Sequence, residues 1–183
     1  MGNLATNPPG SSPRSDGAAV LAEDLVRTFD GLRDELVSTL WFLLGNREDA
    51  KDAAQEAFLK CWQARGRLPD VRNLRAWIFR IGLNAARDLR RDAWHRRAKP
   101  LGGEDVMLAG NNAAVGQALE DRETLERLRR ALQTLDRDEQ EVFLLRQNGE
   151  LTYEQIAEIR QRPVGTVKTQ MRSALQKLRQ QLG

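Results

Sequence analysis

Apolar residues return at steps of three and four along most of this chain, and each run stops at a glycine, an asparagine or a proline. This spacing predicts helices, whereas the alternation of β-branched residues that a half-buried strand needs is hard to find. Leu21, Leu25, Leu32, Leu36, Leu40 and Leu43 form the first stripe, which ends at Gly45. Asn46 is placed to cap the next helix, with Glu48 and Asp49 near the positive end of its dipole. Ala50, Ala53, Ala54, Ala57, Phe58, Cys61 and Trp62 supply its inner face as far as Gly66. A third helix begins near Asn73, after the loop Arg67 to Arg72, with Leu74, Trp77, Ile78, Ile81, Ala85 and Leu89 facing inward.

The pattern lapses between Pro100 and about Gly116, where glycine, asparagine and alanine follow no period. It resumes with Leu119, Leu125, Leu128, Ala131 and Leu132, then with Val142, Phe143 and Leu144 behind the cap pair Asp136 and Glu139, closed by Asn148-Gly149. Residues Met1 to Gly17 are too polar and proline-rich to offset the entropy lost on ordering. The expectation is therefore an all-α chain with a disordered tail (1–17), two small helical domains (18–99 and 118–183) and a flexible linker (100–117).

The segment from Leu151 to Leu178 reads as a helix-turn-helix. Thr152 and Gln155 make a capping box, and Ile156, Ala157 and Ile159 give the first helix its apolar face. Arg160 to Arg162 interrupts the pattern. Pro163 suits the first position of a second helix whose inner stripe is Val164, Val167, Met171, Ala174, Leu175 and Leu178. Thr166, Lys168, Thr169, Gln170, Arg172 and Ser173 are expected to face away, offering hydroxyls, an amide and cations to a major groove. A merely solvated basic face is the alternative reading of such a hairpin.

Composition narrows the function classes. A formal net charge of +3 means that any nucleic-acid affinity must come from where cations sit, not from bulk charge. Cys61 is the single cysteine, so no internal disulfide forms, and its place in an apolar stripe points to a packed thiol. With one histidine, His95, the chain has no His/Cys cluster for zinc and no catalytic triad, and neither a phosphate loop nor paired catalytic carboxylates are evident. No cofactor and no enzymatic activity are expected. No apolar run approaches membrane-spanning length, and the first residues lack the order of a signal peptide, so a cytoplasmic protein without membrane insertion is expected. Met1-Gly2 with Thr6 meets a permissive myristoylation pattern and is treated as a chance match.

The two halves together resemble the extracytoplasmic-function (ECF) group of bacterial RNA polymerase sigma factors, of the sigma-70 family. The residues that carry the resemblance are GNREDAKDAAQEAFLKCW (Gly45 to Trp62) and LRAWIFRIGLNAARDLRR (Leu74 to Arg91) in the first half. In the second half they are ALQTLDRDEQEVFLLR (Ala131 to Arg146), LTYEQIAEI and VGTVKTQMRSALQKLR. The resemblance implies a non-catalytic initiation factor that binds core RNA polymerase, directs promoter recognition and DNA melting, and is held in check by an anti-sigma factor. It implies polymerase contacts at Asp52, Gln55, Glu56 and Phe58. It places contacts to the melted −10 element at Arg72, Asn73, Arg75, Arg80, Asn84 and Arg87, and contacts to the duplex −35 element at Thr166, Lys168, Thr169, Gln170 and Arg172.

Some positions stay open at this level. Trp77 lies on the apolar stripe, so core packing is expected there over base stacking, while Trp94 among arginines suits either exposure or the edge of the core. The family usually has an apolar residue and a glycine in the turn where this chain has Arg160, Gln161 and Arg162. Looser packing there and added phosphate contacts are both compatible with that change. A self-sufficient helix-turn-helix regulator, with the first half as a dimerisation or signal-receiving domain, is the competing function. It differs from the first in predicting specific DNA binding without polymerase.

Overall fold

A computed structural model describes the backbone of residues 13–97 and 117–182 and the side chains of residues 19–92 and 123–182. Among these residues there are seven α-helices, a 3-10 segment and no strand.

Helix α1 (Pro13–Leu44) begins ahead of the Ala18 start expected from the apolar series. Proline at the first helical position forfeits only an N–H that would have no partner there, and its fixed φ suits the helix. Gly45 ends α1 with φ of 78°, a left-handed conformation that glycine adopts without a Cβ penalty, and its N–H returns to the Trp41 carbonyl at 2.8 Å. Helix α2 (Arg47–Gln63) is opened as expected by Asn46, whose Oδ1 accepts from the N–H groups of Glu48 and Asp49. Its inner face of Ala50, Ala53, Ala54, Ala57 and Cys61 is buried, and small side chains there let α1 and α3 approach closely. A 3-10 segment (Arg65–Asp70) tucks Leu68 under the core before Asn73 caps α3 (Leu74–Arg97), its Oδ1 accepting from Ala76 N–H at 2.7 Å. At Gly82 an added Cβ would lie 2.8 Å from Leu36 Cδ1, so α3 approaches α1 closely there and a larger residue would oblige the Leu36 side chain to shift.

The core of this first domain is Leu25, Leu36, Leu40, Ile78, Phe79 and Leu83, with Trp77 also buried, as its stripe position implied. Cys61 is fully buried, and that burial pushes its thiol up to about 12, which keeps it protonated and unreactive. The side chain of Trp94 lies outside the described residues, as do the N-terminal tail up to residue 12 and the linker expected at 100–117, apart from Gln117.

The second domain comprises α4 (Gln117–Gln133), α5 (Arg137–Gln147), α6 (Tyr153–Arg160) and α7 (Val164–Leu182). Both expected capping pairs form. Glu139 accepts from the Asp136 N–H at 3.0 Å, and Thr152 and Gln155 exchange bonds of 2.8 and 3.2 Å. The Pro163 carbonyl accepts the first helical N–H groups of α7, from Thr166 and Val167. Between α6 and α7 the chain turns at Gln161, with φ 51° and ψ 48°. This is the left-handed position at which a glycine would sit without strain. Gln161→Gly should therefore stabilise the chain by about 0.5–1 kcal/mol, read as a rise in the thermal unfolding midpoint. A fall would mean that the Gln161 side chain makes up for its backbone strain.

The two domains pack against each other. Val142, Leu145, Leu151, Ile156 and Ile159 of the second domain join the buried cluster of the first, and Phe42 and Leu43 of α1 pack against the second domain's own cluster, which holds Leu132, Leu135, Leu144 and Leu178. Polar contacts border this seam: Arg75 Nε donates to the Gly149 carbonyl at 2.6 Å, Arg129 to the Gly45 carbonyl at 2.8 Å, and Gln140 to the Phe42 carbonyl at 3.2 Å.

Candidate nucleic-acid and polymerase interfaces

The alanine stripe that buries one side of α2 obliges the opposite side to face water, and Asp52, Gln55 and Glu56 are exposed there. Glu56 lies 3.5 Å from Lys60, which in turn reaches Asp88 on α3. Phe58 is half-buried, edge-on to Phe29 at 5.0 Å between ring centres and stacked on Trp62 at 6.4 Å. Leu59 and Trp62 next to it are exposed, with Arg65 over the Trp62 ring. The face thus combines carboxylates and an amide with a small apolar patch, a mixture suited to a partner helix carrying both basic and apolar side chains.

Helix α3 presents the opposite charge. Arg72 and Arg80 are exposed and, with Asn73, Asp70, Trp77 and the α6 residues Glu158 and Ile159, line a cavity of about 500 Å³. Asn73 already commits its carbonyl oxygen to the cap of α3. Asn84 is exposed and accepts from Arg87 at 3.4 Å. Arg75 and Arg87 are only partly exposed, and each bonds to the second domain: Arg75 to the Gly149 carbonyl, with Glu150 at 3.6 Å, and Arg87 to Glu141 at 2.6 Å.

On α7, Val167, Met171, Ala174 and Leu178 are buried, and Thr166, Lys168, Thr169 and Arg172 form the exposed face. Gln170 and Ser173 do not belong to that face. The Gln170 amide donates to Asp138 and accepts from Arg160, and the Ser173 hydroxyl donates to Glu139 at 2.6 Å, so both are drawn onto the first turn of α5. Thr169 is exposed, with its hydroxyl bonded to the Gly165 carbonyl one turn back. Arg160, in the turn, points inward: its guanidinium is 4% exposed and bonds to the backbone and side chain of Asp138. The turn is tied down by this ion pair, and Arg162 is its outward-facing cation.

Glu139 anchors this seam. Burial works to raise its pKa, but hydrogen bonds from Lys177, Ser173 and the Asp136 N–H outweigh it and hold the carboxyl below its ordinary value. A carboxylate with a depressed folded pKa stabilises the fold above the ordinary glutamate range, about 4.3, and that contribution is lost as pH falls through the folded value. Denaturant titrations should show a loss of stability below about pH 4.3 that is shallower in Glu139→Gln. Equal acid limbs in the two proteins would place the titrating group elsewhere.

An acidic and amide-bearing face on one helix, a cationic face on the next, and a helix-turn-helix with a basic outer face occur here in one chain. Comparison with known proteins finds a family-model match in each half of the chain. Residues 28–96 match the model of Sigma-70 region 2, and residues 125–178 match that of Sigma-70, region 4. The RNA polymerase sigma-H factor of Pseudomonas aeruginosa is 30% identical over 151 residues, covering 74% of this chain and 75% of the relative. The ECF RNA polymerase sigma factor SigW of Bacillus subtilis is 28% identical over 160 residues, 84% of this chain and 86% of that one. The chain belongs to the ECF group of RNA polymerase sigma factors.

Its fold is shared with a sigma factor RpoE solved in complex with the anti-sigma factor NepR from Bartonella quintana, at a TM-score of 0.70 and 23% identity, covering 87% of this chain and 97% of that one. In this sigma factor the region 2 match ends in α3, and the region 4 match runs from α4 into α7. The family is one of non-catalytic regulators that direct promoter-specific initiation. Among the described residues no helix is long and apolar enough to cross a membrane. Sequence reasoning missed Glu141, Glu150 and Arg160. Glu141 carried only a weak local signal, Arg137 four residues before it, and nothing local marks the long-range partners of the other two.

Proposed function

We propose that this sigma factor binds core RNA polymerase through Asp52, Gln55, Glu56 and Phe58 on α2, melts and holds the −10 element with the cations of α3, and reads the −35 element with α7. The observation that supports this best is the segregation of charge: an acidic, partly apolar face on α2, and separate basic faces on α3 and α7, in one chain with both sigma regions. Melting without a nucleotide triphosphate requires that unpaired bases and their phosphates be captured. A cavity lined by Arg72, Asn73, Trp77 and Arg80 offers donors and an aromatic edge for that purpose. Each DNA-binding half is small, and tethering both to polymerase raises the effective concentration of the second contact once the first has formed.

The sigma factor acts in the cytoplasm, turns over no substrate and needs no cofactor. An anti-sigma factor is a further partner, as for the RpoE relative solved with NepR. Run-off transcription on genomic fragments with core polymerase, followed by mapping of 5′ ends, tests the reading. Shared new start sites that depend on the protein support it; specific fragment retention by the protein alone, with no new starts, would favour a self-sufficient regulator.

Within α7, Arg172 is the exposed guanidinium suited to a guanine edge. Arg172→Ala should weaken occupancy of the cognate −35 element by about 1–3 kcal/mol and relax preference at one base pair, measured on a panel of single-substituted promoters. Uniform weakening across the panel would make it a phosphate contact instead.

A further inference from the structure

We propose that Gln170, Ser173 and Lys177 form a polar ridge that fixes the rotation of α7 on α5, and that Gln170 thereby sets −35 preference by placing Lys168 and Arg172, without touching a base itself. The proposal rests on the assignment of α7 to the −35 element. The three side chains fall at steps of three and four along α7, half-buried between the apolar stripe of Val167, Met171, Ala174 and Leu178 and the exposed face. Opposite them stand three carboxylates at the start of α5. Gln170 meets Asp138, Ser173 donates to Glu139 at 2.6 Å, and Lys177 donates to Glu139 at 2.7 Å and to Asp136 at 3.1 Å.

Gln170 closes a ring of three residues. Arg160 Nη2 donates to one carboxylate oxygen of Asp138, Gln170 Nε2 donates to the other at 3.3 Å, and Arg160 Nη1 donates to Gln170 Oε1 at 3.3 Å. A glutamine that reads adenine needs both amide atoms for the base edge, and here both are engaged inside the domain. Arg160 is held in turn, with Nη1 on the Asp138 carbonyl at 2.6 Å, so the ring ties the turn and the second turn of α7 to one residue of α5. Apolar contacts are non-directional and by themselves leave α7 free to roll on its stripe, whereas hydrogen bonds weaken steeply once bent. Lys168 and Arg172 flank Gln170 on the exposed side of the helix, so any roll of α7 moves both cations relative to the groove.

The test exchanges carboxylate and amide within the ring in the full chain, assayed with core polymerase on promoters carrying single substitutions across the −35 and −10 elements. Gln170→Glu sets two carboxylates against each other, and the ratio of initiation at cognate over substituted −35 elements should fall by about five- to tenfold, with −10 preference unchanged. The double variant Asp138→Asn/Gln170→Glu moves the carboxylate across the ring, keeps an amide opposite it and leaves Arg160 an anion. It should return the ratio to within about twofold of wild type. Damage to folding alone would lower initiation at all promoters alike and leave the ratios where they were. Gln170→Ala, which opens the ring without adding charge, should relax −35 preference in the same direction and serves in place of Gln170→Glu if that chain does not fold. Loss of preference at one base pair that the exchange does not restore would make Gln170 a base reader and overturn the positioning role. Unchanged ratios in the single variants would overturn it as well. A wild-type chain that initiates at no promoter would instead remove the assignment of α7 to the −35 element, and the proposal with it.

Discussion

Glu141→Ala should lower stability by about 3–5 kcal/mol, roughly a 10 °C fall in the thermal unfolding midpoint for a chain of this size. The reason is the number of cations that converge on one carboxylate. Glu141 is 4% exposed and lies within 3.4 Å of Arg87, Arg137 and Arg160, and Arg160 is itself 4% exposed. Removing the carboxylate leaves guanidinium groups facing one another, and the buried Nε of Arg160 loses its nearest anion. Breaking a buried pair from one side costs far more than the pair contributes, because the remaining charge has lost its water and gained nothing in return. Arg87→Ala should behave differently. Its side chain is about a third exposed, Glu141 retains two arginines, and the loss should stay near 1 kcal/mol. Circular dichroism melts of the two variants check this, and similar losses in both would show that Glu141 is not the hub of the network.

Phe79→Ala should cost about 3–5 kcal/mol and abolish initiation at growth temperature. Phe79 heads the largest fully buried side chains, so truncation removes apolar contact and leaves a void that α1 and α2 can fill only in part. The same ring lies 5.9 Å below the Arg75 guanidinium, so the void opens under a residue proposed to hold the −10 strand. Phe79→Leu keeps most of the volume and should lose less, about 1.5 kcal/mol, with initiation retained. Thermal melts and run-off transcription on both variants separate packing from function. A stable Phe79→Ala protein would mean that the first domain collapses around the gap.

The helices and most of their caps were legible in the sequence because those signals are local. Asn46, Asp136 with Glu139, and Thr152 with Gln155 cap helices through groups two or three residues away, and the alanine stripe of α2 announces a buried face by its period alone. The exposed faces of α2 and α7 follow from the same periodicity, which brings Asp52, Gln55, Glu56, Thr166, Lys168 and Arg172 to the surface. Periodicity misassigned Gln170 and Ser173. Their positions are outward relative to the apolar stripe of α7, but α5 crosses that flank and offers Asp138 and Glu139, and a hydrogen-bonded seam replaces solvent.

The N-terminal boundary moved for a local reason, since Pro13 can begin a helix even where composition suggests disorder. The turn between α6 and α7 is polar in sequence, with Arg160, Gln161 and Arg162. Whether Arg160 points to DNA or inward depends on Asp138, 22 residues earlier in the chain.

Sequence by itself determined the all-helical character of this sigma factor, its two helical units and the residue types available to polymerase and to DNA, because each rests on contacts within a turn or two of helix. Only the tertiary structure decided that the two units close on one another, that Arg75 and Arg87 are occupied by the second domain, and that one buried carboxylate gathers arginines from α3, α5 and α6. Those contacts join residues as far apart as Arg75 and Gly149, and no local preference encodes a pairing over that separation.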